Sequence, residues 1–266
     1  MYGTYNTDDS NNTNKKEMTD YIILSLIMFV AGFVDCLAGG GGIIRLPAFL
    51  SFGVPPEFVL GTNKLTSVMG AAVSAWQFRG NIKISRKLIL QLAIIAFIFA
   101  ALGALLSRLV PPENLKFLIL IIIPISAYFV ISSKHFGQKS TRLKVGIKKS
   151  IKNARKIAAF GALYDGFLGP GTGTFFAVFL SKYCGFSLLA STGLTKVLNF
   201  SSNLFALIVF LSLGAVKIKL ALCMGLFSIL GSTLGVYIGK KKGTKVIKPL
   251  IIIVCCVITL KIILGK

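Results

Sequence analysis

The chain has 266 residues, of which 55% are hydrophobic and only 14% charged, and its mean hydropathy is +0.80. Soluble domains carry roughly 25% charged residues, so a water-soluble globular fold is excluded. The formal net charge of +22 would point to nucleic acid in a soluble protein, but here the basic residues crowd into short links between apolar runs. In that position they set topology and meet anionic lipid head groups, and no nucleic-acid partner is expected.

Residues 1–20 are polar and rich in Asn and Thr, and are expected to form a disordered tail with no cleavable signal peptide. Apolar runs then recur: Tyr21–Ala38, Leu88–Leu106, Leu115–Ile131, Leu204–Leu213, Leu220–Ile238 and Val246–Leu264. Several approach the roughly 20 residues that a helix needs to cross the hydrocarbon core. The chain is therefore expected to be a multi-pass protein of the cell membrane. Cys36, Cys184, Cys223, Cys255 and Cys256 have no metal or redox spacing and read as small core hydrophobes. The single histidine, His135, falls in a basic link with no partner nearby in sequence. No metal or other cofactor is expected.

The sequence repeats itself. "GFVDCLAGGGGI" (Gly32–Ile43) is echoed by "ALYDGFLGPGTG" (Ala162–Gly173), "LGTNKL" (Leu60–Leu65) by "TGLTKV" (Thr192–Val197), and "RGNIK" (Arg79–Lys83) by "LGAVK" (Leu213–Lys217). The offsets are 130, 132 and 134 residues, in one order. We therefore expect a first membrane repeat over 21–133, a basic cytoplasmic linker over 134–156 and a second repeat over 157–266. Ser132–Lys156 holds nine Lys and Arg, which places it inside by the positive-inside tendency.

Ile157–Leu168 and Thr174–Cys184 flank the break "GPGTG". Arms of about a dozen residues make roughly 18 Å of helix, too short for a core near 30 Å. A re-entrant hairpin also keeps Arg79–Lys87 and the lysines of Lys240–Lys248 on the cytoplasmic side. In the first half, Tyr21–Ala38 is long enough to span alone. The expected fold is an all-α integral membrane protein of two inverted repeats. Each would be a glycine-broken (re-entrant) helix pair plus three transmembrane helices, about eight membrane segments in all.

Candidate functional residues cluster at the echoes. Asp35 and Asp165 lie inside apolar stretches at equivalent places. They read either as functional carboxylates, able to carry a coupled proton, or as caps of unpaired backbone N–H groups. Gly39, Gly40, Gly41 and Gly42, and Gly169, Gly171, Thr172 and Gly173, let the backbone turn and bring helix N-termini toward a ligand. Such a pocket suits an anion. Lys64 and Lys196, again equivalent, are candidate anion contacts or partners for the aspartates, with Lys64 expected on Asp35 and Lys196 on Asp165. Thr62, Asn63, Thr195 and Asn199 would add neutral hydrogen bonds. Arg45 has no basic counterpart in the second half; it reads either as a donor to an oxyanion or as a residue reaching the surface.

These stretches carry a resemblance. "AGFVDCLAGGGG" followed by "GTNKL", then "YDGFLGPGTGTFF" followed by "TKVLNFSSN", resembles the TauE/SafE sulfite exporter family over residues 21–264. The resemblance implies an integral membrane permease for small sulfur-containing anions such as sulfite or organosulfonates. It also implies ligand contacts at the glycine runs, at Thr62, Asn63 and Lys64, and at Asp165, Gly169, Gly171, Gly173, Lys196 and Asn199. Arg45 is outside the family pattern.

The function expected is thus a secondary transporter of small anions working by alternating access, with membrane lipids and a small anion as partners and a homo-oligomer left open. The alternative is a cation channel or cation-coupled carrier using the two aspartates. An enzyme is disfavoured by the lack of clustered His, metal-ligand spacing, a GxSxG elbow or a Walker A motif.

Overall fold

The computed structural model describes residues 7–81, 84–132 and 146–242, and the regular structure within them is helical. The helices are α1 (Thr7–Ala38), α2 (Gly41–Ser51), α3 (Pro56–Phe78), α4 (Arg86–Arg108), α5 (Pro112–Ser132), α6 (Ile147–Phe167), α7 (Thr172–Cys184), α8 (Leu188–Ser212) and α9 (Ile218–Lys242). Local chemistry sets several of the starts. Pro56 opens α3 at a position where its missing N–H is no loss. The Ser85 and Ser187 hydroxyls accept from the Leu88 and Ala190 N–H groups at the heads of α4 and α8. His135, Cys255, Cys256 and the apolar run Val246–Leu264 lie outside the described residues.

Two helices begin earlier than their sequence suggests. α1 starts at Thr7, inside the stretch expected to be disordered, and α6 starts at Ile147, inside the basic stretch expected to be linker rather than at Ile157. A nucleated helix extends at little cost per residue, so polar neighbours of a packed segment join it. On α6 the extension is anchored: Ser150 Oγ donates to the Cys184 carbonyl at 2.8 Å, and Asn153 Nδ2 to the Tyr183 carbonyl at 2.7 Å.

Five stretches among the described helices are long and apolar enough to cross a membrane: Met18–Leu37, Arg86–Arg108, Pro112–Phe129, Ala190–Ser212 and Ile218–Ile238. α3 falls outside that set although it has 23 residues. Its Thr62, Asn63, Lys64, Thr66, Ser67 and Ser74 are all buried inside the protein, so its polarity is hidden from lipid. With 11 and 13 residues, α2 and α7 reach only about 16 and 20 Å at 1.5 Å per residue, short of the core thickness. The outer surface is apolar: Leu90, Ile94, Ile98 and Leu102 on α4 and Leu222, Leu226, Leu230 and Leu234 on α9 form exposed stripes at helical spacing.

Packing follows the sequence echo. α1 lies along α9 and α4 along α6, while α3 and α8 run together through the centre and touch α9 and α4 respectively. In both outer pairs a glycine from each helix meets the partner's backbone. A Cβ on Gly103 would strike the Leu163 carbonyl, and one on Gly166 the Ala100 carbonyl. Gly32 faces the Ser228 carbonyl and Gly231 the Phe29 carbonyl in the same way. Small residues at such crossings are how membrane helices gain close contact without a hydrophobic driving force. Gly231→Ala is therefore expected to cost about 1–3 kcal/mol by overpacking, seen as a lower unfolding midpoint in detergent. Gly80→Ala, where an added Cβ meets nothing within 4 Å, should leave the midpoint unchanged.

Candidate functional site

The two helix breaks meet back to back. α1 stops at Ala38 and α2 resumes at Gly41; α6 stops at Phe167 and α7 resumes at Thr172. Gly39 has φ +71°, a left-handed conformation that a side chain would strain. Its Cα faces that of Gly173 so closely that a Cβ on either would collide with the other's backbone. The contact is closed by a hydrogen bond from the Gly173 N–H to the Gly39 carbonyl at 3.2 Å.

Charged side chains surround this meeting point. Arg45 Nη1 and Nη2 both donate to Asp35 Oδ2 at 3.1 Å, and the Gly41 N–H donates to Asp35 Oδ1 at 3.2 Å. Asp35 therefore caps the first turn of α2, as one of its two expected roles required. Lys64 Nζ pairs with Asp165 Oδ1 at 3.1 Å and also donates to the Asp165 carbonyl, while Ser202 Oγ donates to Asp165 Oδ2. Lys196 Nζ donates to the Asp35 carbonyl at 2.7 Å.

The expected pairing within each repeat is corrected by this geometry. Lys64 belongs to Asp165 rather than Asp35, and Asp35 takes Arg45. Lys196 reaches Asp35 through its backbone carbonyl instead of forming the expected pair with Asp165. Each lysine lies on the third helix of its own half and crosses to the break of the other half. There it meets a carbonyl at the C-terminal end of α1 or α6, where the helix dipole is negative. Arg45 sits one turn into α2, and helical side chains lean toward the N-terminus, which carries its guanidinium back to Asp35. The surface reading of Arg45 is excluded, since it is 1% exposed.

A polar cavity of about 20 Å³ opens between the breaks. Of the candidates, Asp35, Gly39, Gly42, Arg45, Asn63, Asp165, Gly169, Thr172, Gly173 and Asn199 line it. Gly40, Gly41, Thr62, Lys64, Gly171, Thr195 and Lys196 do not. Thr62 instead secures the head of α9, where its hydroxyl accepts from the Lys217 N–H at 3.1 Å. Ser67 and Asn203 also line the cavity but were missed by sequence reasoning, as were Ser202 and Ser228, which bond Asp165 and Arg45. The signal for three of them is helical spacing, since Ser67 follows Asn63 by four residues and Ser202 and Asn203 follow Asn199 by three and four. Ser228 carries no such signal.

The cavity holds at most about one water by volume. Two of its lining residues have a buried side-chain atom without a hydrogen-bond partner, the Arg45 Nε donor and the Asn199 Oδ1 acceptor. A larger groove of about 500 Å³ between α6 and α7 is walled mainly by Phe160, Tyr164, Phe175, Phe176, Phe179 and Tyr183, and it offers little to orient a polar ligand. With all groups in their ordinary charge states, the described residues of the central cluster set three cations (Arg45, Lys64 and Lys196) against two carboxylates, leaving one excess positive charge among them. Among the described residues, no three His, Cys, Asp or Glu side chains converge on a metal-sized site.

Comparison with known proteins adds to this geometry. The sequence profile of the family described as sulfite exporter TauE/SafE matches residues 24–262. A probable membrane transporter protein, ORF9, from Sinorhizobium is 38% identical over 242 residues, covering 90% of each chain. One from Haemophilus influenzae is 34% identical over 245 residues, covering 92% of this chain and 94% of its own. The probable membrane transporter protein YfcA of Escherichia coli is 31% identical over 259 residues, covering 94% and 93%. No solved structure matches the chain.

Proposed function

This chain belongs to the TauE/SafE family of membrane transporters, and from that premise we propose that it moves small sulfur-containing anions, sulfite or organosulfonates, across the cell membrane. The observation that carries the reading is the gathering of three buried basic side chains, Arg45, Lys64 and Lys196, against two carboxylates around a polar cavity where two helix breaks meet. A buried charge in a membrane protein is costly, and an unbalanced one is offset when a ligand of opposite sign arrives.

Alternating access between two inverted repeats is the mechanism that fits. The exchange of packing partners, α1 with α9 and α4 with α6, supports a two-fold relation between the halves. So does the reciprocal crossing of Lys64 and Lys196. Short α2 and α7 would be the re-entrant arms, ending near mid-depth as in broken-helix transporters, with the 134–156 linker in the cytoplasm. The cavity is smaller than any sulfur oxyanion, so the site would have to widen for substrate to enter.

A cation carrier is the second reading, favoured by one feature: both carboxylates line the cavity while Lys64 and Lys196 stand behind it. Each carboxylate already holds a cation of the protein, however, which leaves little negative field for another.

The test is flux of labelled sulfite into liposomes holding the purified protein. Saturable sulfite flux that organosulfonates inhibit, and that potassium gradients do not drive, is the expected result. Potassium flux without sulfite flux would instead establish the second reading. Lys196→Met is the informative variant. It removes one charge-assisted hydrogen bond to a carbonyl that the Gly39 N–H also satisfies, so its stability cost is limited to about 1.5–3 kcal/mol. It nonetheless cancels the excess charge, and sulfite flux should be lost in a folded protein.

A further inference from the structure

The Asp35 carboxylate sits in a setting built for an anion. One of its oxygens takes two guanidinium N–H donors, and the other takes the first N–H of an 11-residue helix at its positive end. The guanidinium is held in place by Ser67 Oγ at 2.9 Å and Ser228 Oγ at 3.1 Å, from α3 and α9. Gly41 keeps the setting tight: a Cβ there would lie 2.7 Å from Asp35 Cγ and 2.8 Å from Arg45 Nη1.

Capacity remains in this setting. Arg45 is 1% exposed and lines the cavity, yet its Nε donor has no acceptor. Buried donors are rarely left open, and an orphaned one beside a cavity points to a missing ligand.

Both aspartates line the cavity, and each is held through both carboxylate oxygens and its own carbonyl, but they differ in exposure. The Asp165 side chain is 4% exposed and the Asp35 side chain 16%. Asp35 is the carboxylate with more room to leave.

We propose that the Asp35 carboxylate is a built-in stand-in for the transported oxyanion, holding the Arg45–Gly41 site in the unloaded protein and yielding it when substrate enters. Its departure adds a carboxylate's volume to a cavity that is otherwise too small. The site then offers a row of donors that suits an anion with at least two oxygens, a sulfite, sulfonate or carboxylate, and not a single-atom halide. The proposal rests on the anion-transport reading.

Binding to the full chain in detergent tests it separately from flux. Labelled sulfite is titrated into wild type, Asp35→Asn, Asp35→Ala and the double variant Asp35→Asn with Arg45→Met. Removing the internal competitor should tighten sulfite binding by about tenfold in Asp35→Asn, the least expected when a charge-assisted bond need no longer be broken. The double variant should lose that gain. Asp35→Ala strands the Arg45 guanidinium and should unfold early in chloride, so recovery of its unfolding midpoint in sulfite or acetate is itself the readout.

Asp35→Asn binding sulfite no more tightly than wild type overturns the stand-in. So does Asp35→Ala that neither sulfite nor acetate rescues. If wild type still carries sulfite in liposomes, only the stand-in fails. If wild type neither binds nor moves any oxyanion, the transport reading fails with it.

Discussion

Lys64→Met should destabilise the protein by about 3–5 kcal/mol, the usual cost of stranding one partner of a buried ion pair. Among the described residues, Asp165 would keep only Ser202 as a side-chain donor, inside a cluster from which water is largely excluded. The carbonyl that Lys64 also meets would lose its charged donor at the C-terminal end of α6. Replacing both partners, Lys64→Met with Asp165→Leu, should recover much of that loss, because two apolar side chains leave no uncompensated charge. Unfolding in detergent, followed for the two single variants and the double, reads the coupling directly. Losses that simply add would mean that the pair does not hold the halves together. The contrast with Lys196→Met is the useful one: one lysine neutralises a carboxylate, whereas the other caps a carbonyl, so stability should separate them where flux does not.

Gly173→Ala is expected to separate the two helix breaks. The added Cβ would meet the Gly39 backbone, and no rotamer change can move backbone out of the way. Gly39 is itself held at φ +71° by the turn, so the two breaks must separate. Overpacking of this kind costs about 1–3 kcal/mol, and here it acts on the Gly173 N–H to Gly39 carbonyl bond as well. Sulfite flux should vanish, with a broadened unfolding transition. Gly42→Ala is the matched comparison, since its Cβ would approach Pro170 no closer than 3.3 Å. Flux retained in Gly173→Ala would show that the breaks need not touch for transport.

Much of the candidate site was legible because its residues are costly. An aspartate, a lysine or a glycine run in an apolar stretch stands out against its neighbours, and its recurrence 130 or 132 residues later singles it out again. Asp35, Lys64, Asp165 and Lys196 were found that way. Ser67, Ser202 and Ser228 were not, because a serine is cheap in a membrane helix; the first two were marked only by their helical spacing from Asn63 and Asn199, and Ser228 by nothing local. The early starts of α1 and α6 were missed for a related reason, since low apolar content predicts exposure better than it predicts the loss of helix.

The sequence by itself determined the solvent of the protein, the family to which it belongs and the places where its helices break. These depend on composition and on backbone freedom within a few residues. The Arg45–Asp35 pair was within the same reach, separated by ten positions across one turn. Which lysine meets which aspartate was decided only in three dimensions. Lys64 and Asp165 are 101 positions apart, and Asp35 and Lys196 are 161 apart, and nothing in the chain between them records the contact. An ion pair forms over a few ångströms, and whether two helices approach that closely is set by how they cross. Here α3 and α8, which carry the two lysines, pack against each other, and each half's lysine reaches the other half's break.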